Sequence, residues 1–190
     1  MRRDLVTSLL AIVGITVVFG LAYPLVVTGL AQVTMPGRAD GSLGPHGSRL
    51  IGQDFKGEPR YFQSRPSTAT SYNPSATAFT NLGPNSKDAR DTFKAHLDGY
   101  LALEGRYDRG LTAARVPVDA VTSSASGIDP QISQANAAIQ AHRIAAVRRL
   151  GLAQVQQLVA DHTDGRSLGV LGEPGVNVLE LNLALDRLSA

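Results

Sequence analysis

No charged residue occurs between Asp4 and Arg38, and the stretch 5–33 is built mainly of Leu, Val, Ile, Ala and Gly. This run constrains the fold more than any other feature, because about 20 apolar residues in helical form cross the hydrocarbon core of a bilayer. Here there is length to spare, which allows tilt or an interfacial tail. Pro24 lies toward the far end, where a missing N–H is expected to kink or finish the helix. Tyr23 beside it suits the headgroup level. A cleaved signal peptide is the competing reading, since Gly20-Leu21-Ala22 resembles a cleavage site. The apolar run is longer than the ~7–15 residues of a signal-peptide core, which favours an uncleaved anchor. Arg2 and Arg3 precede the helix, so the N-terminus is expected in the cytoplasm and the rest of the chain outside it.

The expected organisation is therefore a short cytoplasmic N-terminus and transmembrane helix over 1–33, then one soluble extracytoplasmic domain over 34–190. Thr7, Ala11 and Gly14 share one face of the helix, and small residues let helices approach closely in lipid. Ordinary transmembrane composition accounts for the same three residues.

The soluble part has no cysteine, which excludes disulfides, thiolate metal sites and a cysteine nucleophile. The whole chain carries a net charge of +2 with no run of Lys or Arg, so a nucleic-acid footprint is absent; membrane lipid is the contact expected of the apolar helix. Residues 34–48 are rich in Gly, Pro and Ser and read as a loop. Residues 49–55 have strand character. Residues 66–85 form a long Ser/Thr/Asn/Pro-rich irregular stretch, of a length that is uncommon unless it binds something or moves. A helix is expected over 86–104, with Gly105 as its C-cap. Residues 116–123 read as a short edge strand because of Pro117. Asp129 at N-cap with Pro130 at N1 predicts a helix running to about Leu150. A further helix is expected over 152–161, and a turn-rich stretch over 165–175. The segment 177–188 fits both periodicities, but Asn177 with Glu180 resembles a capping box and favours helix. The fold class is α+β.

Catalytic signatures are missing. There is no GxxxxGK loop, no HExxH and no GxSxG. His46, His96, His142 and His162 lack metal-ligand spacing. The segment 123–127 ahead of a predicted helix suits an anion through its backbone N–H groups, although a turn leading into a cap explains it equally. A membrane-tethered binding protein for a small ligand and an enzyme released by cleavage after Ala22 both remain as alternatives.

A series of short motifs runs along nearly the whole chain in a fixed order: Tyr23-Pro24-Leu25, Gly41-Ser42-Leu43, Leu50-Ile51-Gly52-Gln53, Tyr61-Phe62, Arg65-Pro66-Ser67 and Tyr72-Asn73-Pro74. Val116-Pro117, Ser124-Ala125-Ser126-Gly127-Ile128-Asp129, Gln140 with Arg143-Ile144-Ala145, and Pro174 with Val176-Asn177-Val178-Leu179-Glu180-Leu181-Asn182 complete it. In this order the sequence resembles the C subunit of the bacterial Kdp potassium-transporting ATPase. The family's Ser-Gly-Gly-Ser-Asn-Leu loop is Thr77-Ala78-Phe79-Thr80-Asn81-Leu82 here, without the glycines.

The resemblance implies a non-catalytic accessory subunit of an ATP-driven potassium uptake complex. Its partners would be a channel-like potassium-binding subunit and a P-type ATPase subunit. It also implies a catalytic-chaperone role that raises ATP affinity, with Gln140 at the nucleotide-contacting position and ATP as the associated cofactor. The orientation rule opposes that contact, since it places Gln140 outside the cell as an exposed helical side chain. Candidate partner-contact positions are Thr7, Ala11, Gly14, Tyr23, Pro24, Arg65, Pro66, Ser67 and Asn81.

Overall fold

The apolar run becomes one unbroken helix, Arg2–Thr34, in a computed structural model that describes residues 1–67, 72–77 and 80–188. It comprises α1 (Arg2–Ile15), a π-helical stretch (Thr16–Ala22) and α2 (Tyr23–Thr34). None of its residues but Ala31 is even partly covered. Pro24 does not end it. Proline has no N–H for the ladder, and its ring presses on the carbonyl four residues back. The helix widens just before this point, and the Tyr23 N–H bonds to Val18 O, five residues back. A chain of 33 residues at about 1.5 Å each spans about 50 Å, ample for a bilayer.

The chain divides into two compact units, Met1–Ser48 and Arg49–Ala190. After α2 the first unit holds the single turn α3 (Pro36–Ala39) and a small hairpin, β1 (Leu43–Gly44) with β2 (Gly47–Ser48). Gln32 Nε2 donates to Asp40 Oδ1 at 2.8 Å, and Ser48 Oγ to Gly41 O at 2.6 Å.

In the second unit, α4 (Lys87–Glu104) starts at an N-cap Ser86, whose hydroxyl accepts from Ala89 N. β3 (Gln131–Ile132) and α5 (Gln134–Arg148) follow, then α6 (Leu152–Asp161), β4 (Thr163–Asp164), β5 (Gly175–Asn177) and α7 (Val178–Leu188). The sheet has the order β3-β5-β4 and is antiparallel throughout, with Val176 opposite both Ile132 and Thr163. Ala137, Ala141 and Ile144 of α5 pack with Val155 of α6, Leu181 and Leu185 of α7, and Phe62. The body is thus mixed α and β, as expected.

Besides the expected loop 34–48, which instead holds α3 and the β1–β2 hairpin, three expectations fail, two of them because a distant partner outcompetes the local signal. Residues 49–55 form no strand. Their backbone bonds go elsewhere: Arg49 O accepts from Asn177 Nδ2, Gly52 N–H reaches Ile128 O, and Gln53 O accepts from Ser64 Oγ. Residues 116–123 are not a strand either, since two 3₁₀ turns, Ala113–Arg115 and Val118–Ala120, bracket Pro117. Asp129 does not cap a helix. Its carboxylate accepts from Gln131 N, while Gln131 and Ile132 pair with β5, so the helix begins only after Ser133. At the C-terminal end Asn177 does cap α7, its Oδ1 accepting from Glu180 N at 3.1 Å. The Glu180 carboxylate meets Arg49 at 3.2 Å.

Candidate functional site

The chemically richest place in the second unit is its buried polar centre. Asn136, Gln140 and Arg143 lie on one stripe of α5 and are each at most 1 % exposed. Ser133 sets the start of that helix, accepting from Asn136 N while donating to Asp119 Oδ1. Asp119 also accepts from Ser133 N and from Asn136 Nδ2. Asn136 Oδ1 takes the hydroxyl of Tyr100 at 2.8 Å and Gln140 Nε2 at 2.9 Å.

Gln140 is bonded on every side. Its Oε1 accepts from Gln63 N at 2.7 Å and from Arg143 Nη2 at 3.0 Å. Its Nε2 donates to Asn136 Oδ1 and to Gln63 O at 3.1 Å. A glutamine amide offers two donors and two acceptor lone pairs, and all four are engaged. The expected exposed helical side chain is therefore overturned. Gln140 does for Gln63 what a neighbouring strand would do, pairing both backbone groups of one residue. Asn182 of α7 does the same one residue earlier, with Oδ1 accepting from Phe62 N at 2.8 Å and Nδ2 donating to Phe62 O at 2.9 Å. Successive residues of an extended chain point their backbone groups to opposite sides. Two helices thus grip residues 62–63 from two sides without a sheet.

Arg143 and Glu104 form a fully buried pair, with Nε at 2.9 and 3.1 Å from the two carboxylate oxygens. The guanidinium also donates to Pro59 O, Tyr61 O and Gln140. Burial pushes the Glu104 carboxyl above its ordinary value, and the adjacent Arg143 pulls it back. Burial, reinforced by the Glu104 and Asp119 carboxylates, also raises the Tyr100 hydroxyl well above the usual phenol range. A buried charge is tolerated only when paired and hydrogen-bonded, and here that condition is met. At the rim Arg148 bonds Asp186 at 2.8 Å and lies 5.0 Å over the Tyr61 ring.

A second cluster gathers several motif residues. Arg65 reaches Ser123 O at 3.0 Å and Asp129 Oδ2 at 3.2 Å, and Ser67 Oγ donates to Gly127 O at 2.9 Å. The Tyr72 hydroxyl donates to Arg65 O, and burial pushes this phenol up to about 12. Gly52 sits so close that a Cβ there would lie 2.5 Å from Asp129 O. The 123–127 loop uses its own serines: Gly127 N bonds Ser124 Oγ and Ile128 N bonds Ser126 Oγ. Those bonds match a turn rather than an anion cradle.

Of the sequence candidates, Arg65, Pro66 and Ser67 are half-buried together in this cluster. Thr7, Ala11, Gly14, Tyr23 and Pro24 are exposed along the apolar helix, and Asn81 is exposed in the second unit. Ala78 and Phe79 of the altered loop lie outside the described residues. His162 Nδ1 lies 2.9 Å from Leu158 O at the end of α6. Among the described residues no three His, Asp or Glu side chains are placed to hold a metal. Sequence reasoning missed Glu104, Asp119 and Asn136, and it named Arg143 and Asn182 only as motif residues without a role. A signal did exist for three positions, because Asn136, Gln140 and Arg143 recur at helical spacing among apolar neighbours.

Fold and site together define a small α+β domain that follows a single long apolar helix, its polar centre used for internal fastening. A family model described as K+-transporting ATPase, c chain, matches residues 5–187. Three relatives are each named a potassium-transporting ATPase KdpC subunit. The Koribacter versatilis protein is 47% identical over 98% of this chain and 95% of its own length. The Herpetosiphon aurantiacus protein is 45% identical over 100% and 99%, and the Mycobacterium tuberculosis protein 44% over 99% and 100%. The chain belongs to the KdpC family of potassium-transporting ATPase subunits, as its ordered motifs imply.

Proposed function

We propose that this chain is an accessory subunit that steadies an ATP-driven potassium uptake complex from outside the cytoplasm. It would be anchored through residues 1–33, with residues 34–190 placed against the channel-like subunit. The observation that carries this reading is the state of Gln140: it is buried, with every donor and acceptor engaged inside its own domain. Contact with a nucleotide would require opening the core. The two arginines before the helix support the same placement. The test is co-expression with the channel-like and ATPase subunits, extraction in mild detergent, and potassium-stimulated ATP hydrolysis with and without the chain. Co-elution together with dependence of activity on the chain is the expected result. Protection of the domain from protease in intact spheroplasts would overturn its external placement.

One observation favours a second reading, a tethered small-ligand-binding protein. A cavity of about 510 Å³, mostly apolar, lies among Leu82, Pro84, Ala89, Phe93 and His96, a size that suits a small molecule. Saturable binding of a ligand by the chain without partners would favour this reading.

A further inference from the structure

Beside the first turns of α4 several polar groups face a cavity without a partner inside the protein. The cavity, of about 510 Å³, is walled by Leu82, Pro84, Ala89 and Phe93, and Arg90 lines it as well. Residues three and four apart are neighbours on a helix, and for Arg90 these are Ser86, Lys87, Phe93 and Lys94. None is a carboxylate. The two lysines are already paired, Lys87 with Asp91 at 3.7 Å and Lys94 with Asp98 at 2.6 Å. Asp88, two positions before Arg90, faces away from it. Among the described residues the Arg90 guanidinium meets no acceptor. Further along α4, His96 Nδ1 lies 2.9 Å from Val121 O. A carbonyl only accepts, so Nδ1 carries the hydrogen and Nε2 keeps a lone pair. That nitrogen and the half-buried hydroxyls of Thr92 and Ser123 line the same cavity. None of the three has a hydrogen-bond partner among the described residues.

Mostly apolar walls with a few convergent polar groups are the ordinary form of a small-molecule site. The groups present here also select the chemistry of the ligand. A guanidinium without a counter-ion calls for an anion, and its planar fork matches a carboxylate through two parallel N–H···O bonds. The walls call for a hydrocarbon body. An inorganic anion would leave those walls uncovered, and an uncharged hydrocarbon would leave Arg90 unanswered. Between Arg90 and His96 the helix rises about 9 Å, at about 1.5 Å per residue. A ligand bridging that distance reaches Nε2, whose lone pair takes a hydroxyl donor. We propose that this cavity binds a small organic carboxylate with an apolar body, its carboxylate on Arg90 and a hydroxyl at its far end on His96. The proposal rests on the ligand-binding reading of the cavity above. It does not require the chain to act alone, since an accessory subunit carries the same cavity.

The test uses the full chain in lipid nanodiscs, with empty nanodiscs as the blank, read by fluorine NMR. The probe is para-hydroxyphenylacetate carrying one ring fluorine. Tyramine with the same fluorine keeps the ring and hydroxyl but ends in a cation, and phenylacetate with the same fluorine lacks the hydroxyl. Saturable broadening of the hydroxyphenylacetate signal is expected, with tyramine about tenfold weaker and phenylacetate several-fold weaker. Arg90→Gln should weaken hydroxyphenylacetate about tenfold, and Arg90→Glu should reverse the preference between acid and amine. Both variants should keep the wild-type melting temperature, because Arg90 is exposed and holds no other side chain. Lys94→Gln, outside the cavity lining, should bind as wild type does. Equal binding of acid and amine, indifference to Arg90→Glu, or equal weakening by Lys94→Gln would overturn the carboxylate assignment while leaving a ligand cavity standing. Equal binding of phenylacetate and hydroxyphenylacetate would overturn the contact at His96. If none of the three probes binds saturably above the blank, the ligand-binding reading falls and this inference with it.

Discussion

Replacing Gln140 with alanine separates a fastening role from a ligand-binding one. The substitution leaves Gln63 N–H, Gln63 C=O and one Arg143 N–H without their partner, whereas Asn136 Oδ1 keeps the Tyr100 hydroxyl. Each buried polar group left unsatisfied costs about 1–3 kcal/mol. Allowing for water entering the vacated space, the total is about 3–6 kcal/mol, a large share of an ordinary domain's stability. At about 3–4 °C per kcal/mol, the melting temperature should fall by about 10–20 °C. The assay is thermal unfolding of the full chain in detergent, followed by near-ultraviolet circular dichroism. A companion variant, Gln140→Glu, sharpens the test. It places an oxygen where Nε2 now donates to two acceptors, so the new carboxyl must stay protonated to fit. Its pKa would be raised in the folded state, and its contribution to stability should be present at low pH and lost as pH rises through that value. The Glu variant should therefore approach wild type near pH 5 and fall away by pH 8. An alanine variant that melts within about 2 °C of wild type while raising the KM for ATP of the assembled complex would refute the reasoning.

Glu104→Gln should destabilise by about 3–5 kcal/mol, because it strands the Arg143 charge in the core, and chemical denaturation will read the loss. Gly52→Ala should lower the melting temperature, since its methyl meets Asp129 O at 2.5 Å and the Tyr72 ring at 2.7 Å. A cost of about 1–3 kcal/mol is expected for such overpacking. Tyr72 holds its proton to about 12 when folded, above the ~10 of an unfolded phenol. Its contribution to stability is thus present below pH 10 and lost as pH climbs toward 12. Tyr72→Phe should flatten that alkaline decline, and ultraviolet titration of the folded wild type should show a tyrosine ionising late.

Helices whose end signals are local were legible. Ser86 caps α4, Gly151 opens α6 and Asn177 caps α7, and each lies where the residue pattern changes. The long apolar helix Arg2–Thr34 was visible from its lack of charge alone. The signals that misled were equally local but met stronger distant partners. Asp129-Pro130 has the form of a helix start, yet Pro130 O accepts from Val178 N and the next two residues join β5. The strand-like 49–55 segment finds side chains and loops instead of a ladder. The polar centre was half legible. Asn136, Gln140 and Arg143 form a visible stripe, but nothing near Gln140 in sequence announces Gln63, and nothing near Arg143 announces Glu104. Those partners lie 77 and 39 residues away.

The double grip on residues 62–63 also governs when this domain can assemble. Phe62 is held by Asn182, which is synthesised 120 residues later. The central strand β5 lies equally late in the chain. Until that distal stretch emerges, the extended segment has no partner for its backbone, and Glu104, α5 and the early loops have only part of their core. Contacts of such long range impose a large loop-closure cost before they return any stability, which slows folding. The nascent domain must therefore remain open and apolar through most of its translation. Until then its apolar segments stay exposed to aggregation, so early shielding of the nascent chain favours its biogenesis.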